Sequence, residues 1–307
     1  MPQAVLRGLA LSVFTLPALF ALDDRAVPRQ ARPQNSTPNG IAYHGGSVVA
    51  YGVNIYYIWY GNWSGDIPAT SILTALANGL GGSSYFNINT TYSAFDGGRM
   101  QPVTNMLRFA GSTNDNYSQG SNLSMSGVAM VVQNAIASGN LPADPNGVYF
   151  VLSSADVTED GFCQTGCGWH GYGSFTGARL TVNQTSASGV DIKFAFVGNP
   201  STQCIHFCSL WNANFPPPNG DPGGDAMASI VAHELSEAVN DPHMDAWFDA
   251  TGAESADKCQ WTFGAISRVP QGQLNSSGVY NVTLGGRNFL LQQLWVNAAG
   301  GYCAASY

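Results

Sequence analysis

The stretch DAMASIVAHELSEAVNDP, residues 225–242, constrains the chain most, because it must be buried on one side and still carry several charges. Met227, Val231, Leu235 and Ala238 recur at helical spacing and form an apolar stripe. At about 100° per residue, with Met227 at zero, His233 falls near 240°, Glu237 near 280°, Asp241 near 320° and Glu234 near 340°. One imidazole and three carboxylates therefore share an arc of roughly 100° beside the buried stripe. Ser229, Ser236 and Asn240 fall near 180–220° and are expected to face water. Asp225 is expected as the N-cap, and Pro242 ends the helix. Close carboxylates repel and desolvated ones are penalised, so a cation is the simplest way to stabilise such an edge.

His233-Glu234-Leu235-Ser236-Glu237 is a relative of H-E-x-x-H, in which two ligands one turn apart hold zinc and the intervening Glu activates bound water. His233 and Glu237 are the expected ligands here, with Glu234 as general base. For the third ligand Glu254 ranks first, Asp241 second, Asp257 third and His243 last. Glu in place of the second His leaves the metal less electrophilic. Zinc is expected, but calcium becomes competitive, and metal binding follows more securely than catalysis. His170, beside Cys167 and Trp169, is a weaker catalytic candidate or extra ligand. His206 is read as structural. Asp156, Glu159 and Asp160 are read as a solvated acidic loop, with a calcium loop as the alternative.

Export is the second theme. An apolar run from Gly8 to Leu22, preceded by Arg7, is too short to span a bilayer and sits where a secretory signal belongs. Residues 1–22 are read as a signal peptide and 23–40 as a flexible spacer or short pro-segment. Asn-x-Ser/Thr sequons occur at Asn35, Asn62, Asn89, Asn116, Asn122, Asn183, Asn275 and Asn281. Six cysteines in an exported chain imply disulfides, and spacing favours Cys163–Cys167, Cys204–Cys208 and Cys259–Cys303. Two C-x3-C metal pairs are the rival reading. The net charge is −8 and only Lys193 and Lys258 are lysines, so nucleic acid and, after signal cleavage, membranes are not expected partners.

Residues 41–307 contain neither a second linker nor a repeat and are read as one domain. Strands are expected at Asn54–Tyr60, Val103–Phe109, Val148–Leu152 and Ile192–Val197, with helices at Pro68–Leu80 and Ser124–Ser138. The alternation argues for an α/β (α+β) domain with a mixed sheet, and Val279–Val296 adds a β-rich C-terminal portion. The metal-type helix makes a zincin-like version of that class the specific expectation.

The segments NIYYIWYGNW (54–63), LRFAGSTNDNYSQGSNLS (107–124), VYFVLSSADV (148–157), FCQTGCGWHG (162–171), FAFVGNP (194–200), the helix itself, ESADKC (254–259) and YNVTLGGRNFLLQQLWVN (280–297) resemble the EXORDIUM, or phosphate-induced protein, family. The resemblance runs from about Ile41 to Cys303. It implies an extracellular, apoplastic or wall-associated protein linked in plants to growth responses, with no settled enzymatic activity. The family's H-E-x-x-E helix and E-x-A-D-x-C segment fall on His233, Glu234, Glu237, Glu254, Asp257 and Cys259, which favours Glu254 or Asp257 over His243 as the remaining ligand. Plant members often carry Asn before the Pro, which weakens Asp241. Three functions compete: a zincin-like peptidase, a non-catalytic signalling or wall protein with a structural metal, and a calcium-stabilised binding module. Partners among extracellular proteins or wall components are left unspecified, as is the oligomeric state.

Overall fold

The computed structural model describes residues 40–212, 214–270 and 277–307. The signal peptide (1–22), the spacer up to residue 39, and the sequons Asn35 and Asn275 lie outside the described residues. Six strands form the central sheet: β1 Val53–Tyr60, β2 Leu107–Asp115, β3 Gly147–Ser153, β4 Gly168–Thr176, β5 Arg179–Val182 and β6 Val190–Gly198. Their order is β5-β4-β6-β3-β1-β2. The block β6-β3-β1-β2 is parallel, and β4 and β5 extend it antiparallel. The mixed α/β class is as expected.

Three helices cover the sheet: α1 Ile67–Leu80, α2 Met125–Ala137 and α3 Pro222–Asn240. The β1-α1-β2 and β2-α2-β3 crossovers run in opposite directions along the sheet, and right-handed crossovers then place α1 and α2 on opposite faces. α3 returns to the α1 side and packs on α1, β4 and β6. At Gly224 the two helices meet so closely that a Cβ would lie 2.7 Å from the Ala69 Cα, which only glycine avoids.

Central strands are apolar because both faces are covered: β3 is buried at every residue. One row of paired residues, Tyr57–Phe150–Ala195–His170, crosses the sheet beneath α1 and α3. Tyr57 donates from its hydroxyl to the Leu73 carbonyl of α1 at 3.1 Å, and its ring meets Phe150 edge-on at 6.0 Å. Strand β2 begins at Leu107 rather than Val103. It is an edge strand whose alternating, largely polar sequence carries half-buried and exposed residues in turn.

Two local expectations change. The α3 N-cap is Asp221, which accepts from Gly224 N at 2.8 Å. Asp225 lies inside the first turn and accepts from the Asn219 backbone and side-chain amides at 2.9 and 2.6 Å. The side expected to be wet is dry, because α3 is buried from Gly223 to Asn240. The Phe86–Thr91 turn and the β-rich C-terminal portion cover it. Asn240 Nδ2 donates to Asn89 Oδ1 at 2.8 Å, and the Gln292 amide donates to Ser229 Oγ at 3.0 Å. Met227, Val231 and Leu235 are fully buried, each contributing roughly 1.5–3 kcal/mol.

All six cysteines are bonded, but not within each C-x3-C pair. The bonds are Cys163–Cys204, Cys167–Cys208 and Cys259–Cys303. Spacing failed for the first two because the loop before β4 and the turn after β6 lie side by side at one end of these paired strands. The C-x3-C metal reading falls with it. Two sequons are also unsuitable acceptors: Asn89 is fully buried, and Asn281 donates to the Phe263 and Leu291 carbonyls. Asn62, Asn116, Asn122 and Asn183 are exposed.

Cross-links spanning 41, 41 and 44 residues are each worth roughly 4 kcal/mol on a chain-entropy estimate. Non-reducing peptide mapping should recover the Cys163–Cys204 and Cys167–Cys208 links. Full reduction should lower the unfolding temperature by at least ten degrees.

Candidate metal centre

Two elements build the centre, and a third borders it. α3 supplies His233, Glu234 and Glu237, all with 0% exposure. The turn 254–259 supplies Glu254 and Asp257. Strand β4 brings His170 from below, 2% exposed. Gly168, two residues before His170 on the same face, lets α3 approach: a Cβ there would lie 2.6 Å from Ile230 Cγ2 and 3.1 Å from Glu234 Oε1.

Glu237 sits in the middle. Its Oε1 accepts from the backbone N–H groups of Ala256 and Asp257 at 3.0 and 2.8 Å. That pair of bonds fixes the carboxylate and aims Oε2 at His233, whose Nε2 is 3.2 Å away. Asp257 Oδ1 lies 3.6 Å from the same nitrogen. Glu237 Oε2 and both His233 nitrogens are buried without a hydrogen bond. On the other flank, His170 Nδ1 lies 3.7 Å from Glu234 Oε2 and its Nε2 lies 4.0 Å from Glu254 Oε1.

Two triads therefore have ligand-type atoms within 4.8 Å of one another: His233–Glu237–Asp257 and His170–Glu237–Glu254. The expected set of His233, Glu237 and Glu254 is divided between them. Asp257, ranked third, joins His233, while Glu254 turns to His170. Asp241 leaves the candidate ligands for a physical reason: its Oδ1 accepts from Asp245 N and Ala246 N at 2.7 and 2.6 Å and shapes the loop after the helix. His243 lies outside both triads. In the acidic loop, Asp156 accepts from Tyr117 and Ser154 hydroxyls at 2.6 Å each, and Glu159 is buried and accepts from Trp169 Nε1 at 3.2 Å. Glu159 therefore does not belong to a solvated loop. His206 is exposed.

Sequence reasoning missed that His170 sits on a strand. Gly168, Gly171 and Gly173 obscure β4, since glycine normally weakens a strand reading. The alternation of small residues with Trp169, His170 and Tyr172 was the available signal.

The zinc fit can be tested on distances. Ligand atoms about 2.1 Å from a tetrahedral ion lie about 3.4 Å apart. The 3.2 and 3.6 Å separations around His233 Nε2 bracket that value. The 4.0 Å separation between His170 and Glu254 is looser. Electrostatics agree. Burial lowers the His233 pKa, but the carboxylates of Glu237, Asp257 and Glu234 outweigh it and hold it well above 6.5. The carboxylates around this nitrogen favour positive charge on it. Burial, and secondarily the Glu237 charge, raise the nearby Tyr85 and Tyr92 hydroxyls, so both remain neutral.

A family signature covers this whole arrangement. The phosphate-induced protein 1 conserved region matches residues 41–305, from the first described strand to the last. The chain belongs to the phosphate-induced protein 1 family. Arabidopsis thaliana EXORDIUM-like 5 is 31% identical over 83% of this chain and 75% of its own length. EXORDIUM-like 3 of the same plant is 29% identical over 86% of this chain and 82% of its own length. PHOSPHATE-INDUCED 1 of Nicotiana tabacum is 24% identical over 71% of each chain. No solved structure matches this family member.

The metal-free protein should show the His233 titration in its stability. A raised pKa gives stabilisation that is complete below pH 6.5, the unfolded value, and is lost as pH rises through the folded value. Asp225, pushed up to about 7 by burial, adds a separate loss between its unfolded value of 3.8 and about 7. Denaturant midpoints of chelator-treated protein should therefore keep falling above pH 7. In His233→Gln that upper limb should be flat.

Proposed function

We propose that this family member is an extracellular protein in which His233, Glu237 and Asp257 hold one divalent cation, zinc by preference, as an internal cross-link. The observation that carries this reading is Glu237: fully buried, one oxygen fixed by two backbone amides, the other aimed at His233 Nε2 without a hydrogen bond. A cation between Glu237, Asp257 and His233 would join α3 to the 254–259 turn, which Cys259–Cys303 already ties to the C-terminal strands. Zinc bound there would supply Lewis acidity, but enclosure favours a structural use. Among the five residues of the two triads, Asp257 is the only side chain with appreciable exposure, at 22%. A peptide has no evident approach to Glu234, which lies against His170 rather than at an open metal face. The zincin-like expectation is thus kept for the metal-bearing helix and not for hydrolysis. Export is supported by the apolar N-terminal run, three disulfides and four exposed sequons. Among the described residues no helix is long and apolar enough to cross a membrane.

Metal analysis of the purified protein should find about one zinc per chain. Glu237→Gln should remove it, since both triads share that residue. His233→Ala should remove it while His170→Ala retains it, which separates the two triads. A site a thousandfold above its dissociation constant stabilises by about 4 kcal/mol, so chelation should lower the unfolding temperature measurably. Metal-free protein unaffected by chelators would sink the reading. Chelator-sensitive peptide hydrolysis, abolished in Glu234→Gln with metal retained, would replace it with the peptidase.

A further inference from the structure

A second constellation lies outside the metal centre, on the surface beside the end of α3. Ser47 is exposed in the loop before β1. Its Oγ lies 3.2 Å from His243 Nδ1. His243 Nε2 lies 3.0 Å from Asp191 Oδ1, at the start of β6. Burial raises the Asp191 carboxyl, but the hydrogen bond from His243 and the charge of Lys193, 3.1 Å away, outweigh it and leave its pKa below the ordinary value. An ionised carboxylate can only accept, so in the neutral imidazole Nε2 carries the hydrogen and Nδ1 presents its lone pair to the Ser47 hydroxyl. The Tyr172 ring holds the imidazole from one side, with centroids 4.8 Å apart.

The surrounding backbone is built to keep these groups together. His44 N donates to Ala246 O at 2.7 Å and Gly46 N to Asp245 O at 3.0 Å, which fastens the Ser47 loop to the His243 loop. Gly46 is required there, because a Cβ would lie 2.6 Å from the Asp245 backbone carbonyl carbon. Asp241 caps the same loop through its two backbone bonds. Met244, next to His243, is held at φ 59°, a left-handed conformation that non-glycine residues seldom adopt.

We propose that Ser47, His243 and Asp191 form a hydrolytic triad acting on small acyl esters presented at the protein surface. Such a triad is recognised by geometry and roles rather than by chain order. Here the two imidazole nitrogens exchange their usual duties. Ser47 Oγ forms the bond to the acyl carbon as its proton passes to His243 Nδ1. The tetrahedral adduct collapses, the carbon–alkoxy bond breaks, and the alcohol leaves with that proton. Water then gives a proton to Nδ1, its oxygen attacks the acyl-Ser47 ester, and the carboxylic acid departs as Ser47 regains its proton. Asp191 is a positioning residue that sets the tautomer and stabilises the imidazolium. No metal takes part, so this activity is independent of the reading given for Glu237.

The test uses the full mature chain with two probes, a fluorophosphonate and p-nitrophenyl acetate. Peptide mass spectrometry should place about one phosphonyl group per chain on Ser47. Ser47→Ala should abolish that adduct and lower ester turnover by about 100-fold or more. His243→Ala should do the same with an unchanged circular dichroism spectrum. Asp191→Asn should slow labelling of Ser47 and shift the pH–rate profile to lower pH, because the imidazolium loses its anion. If His243→Ala misfolds, the Asp191→Asn profile decides. The proposal is overturned by native protein without a Ser47 adduct, by turnover unchanged in Ser47→Ala, or by labelling that proceeds equally fast in His243→Ala or Asp191→Asn.

Discussion

The buried carboxylate of Glu237 is the constraint around which the structure is arranged. It has no exposure, two backbone amides on one oxygen and an imidazole facing the other. A charge in that position demands compensation that cannot come from water. The chain has only two lysines, and Lys258 is engaged with Asp249 at 2.8 Å while Lys193 serves Asp191 at 3.1 Å. His233 Nε2, 3.2 Å from Oε2, is the group the fold sets against it. The 254–259 turn is placed by its amides on Glu237, and Cys259–Cys303 then anchors that turn to the end of the chain.

This arrangement explains why α3 is dry on every side. A helix with a single apolar stripe would normally show its serines and its asparagine to solvent. Here the Phe86–Thr91 turn and the C-terminal strands meet that side and supply specific partners, Asn89 to Asn240 and the Gln292 amide to Ser229. Tyr85 and Tyr92 close the same region by donating to the Gln292 and Trp295 carbonyls at 2.8 and 2.6 Å. The charged edge of α3 is consequently sealed inside the protein. The loop leaving α3 is different. It emerges at the surface and brings His243 to Ser47 and Asp191.

Much of the scaffold was legible in the sequence because its signals are local. The runs around Tyr57, Phe150 and Phe194 read as buried strands, and the local patterns over residues 68–80 and 124–138 marked two helices, whose Asp66 and Ser124 caps the structure added. What was misread depended on neighbours distant in sequence. Strand β4 was hidden by glycines, of which Gly168 admits α3 and Gly173 admits β5, the local cysteine pairings lost to the side-by-side packing of two loops, and β2 was displaced because an edge strand looks polar.

By itself, the sequence determined the α/β class, the helix bearing His233, Glu234 and Glu237 on one edge, and the membership of the phosphate-induced protein 1 family. The class and the helix edge follow from period and spacing, and the family from its matching segments, all properties of the chain alone. Only the tertiary structure decided which carboxylates meet which imidazoles: Asp257 with His233, Glu254 and Glu234 with His170, and Asp191 with His243. The reason is geometric. A helix fixes the relative angle of residues four apart, but the partners from β4, β6 and the 254–259 turn are placed by sheet register and by a disulfide, and no local pattern encodes those distances.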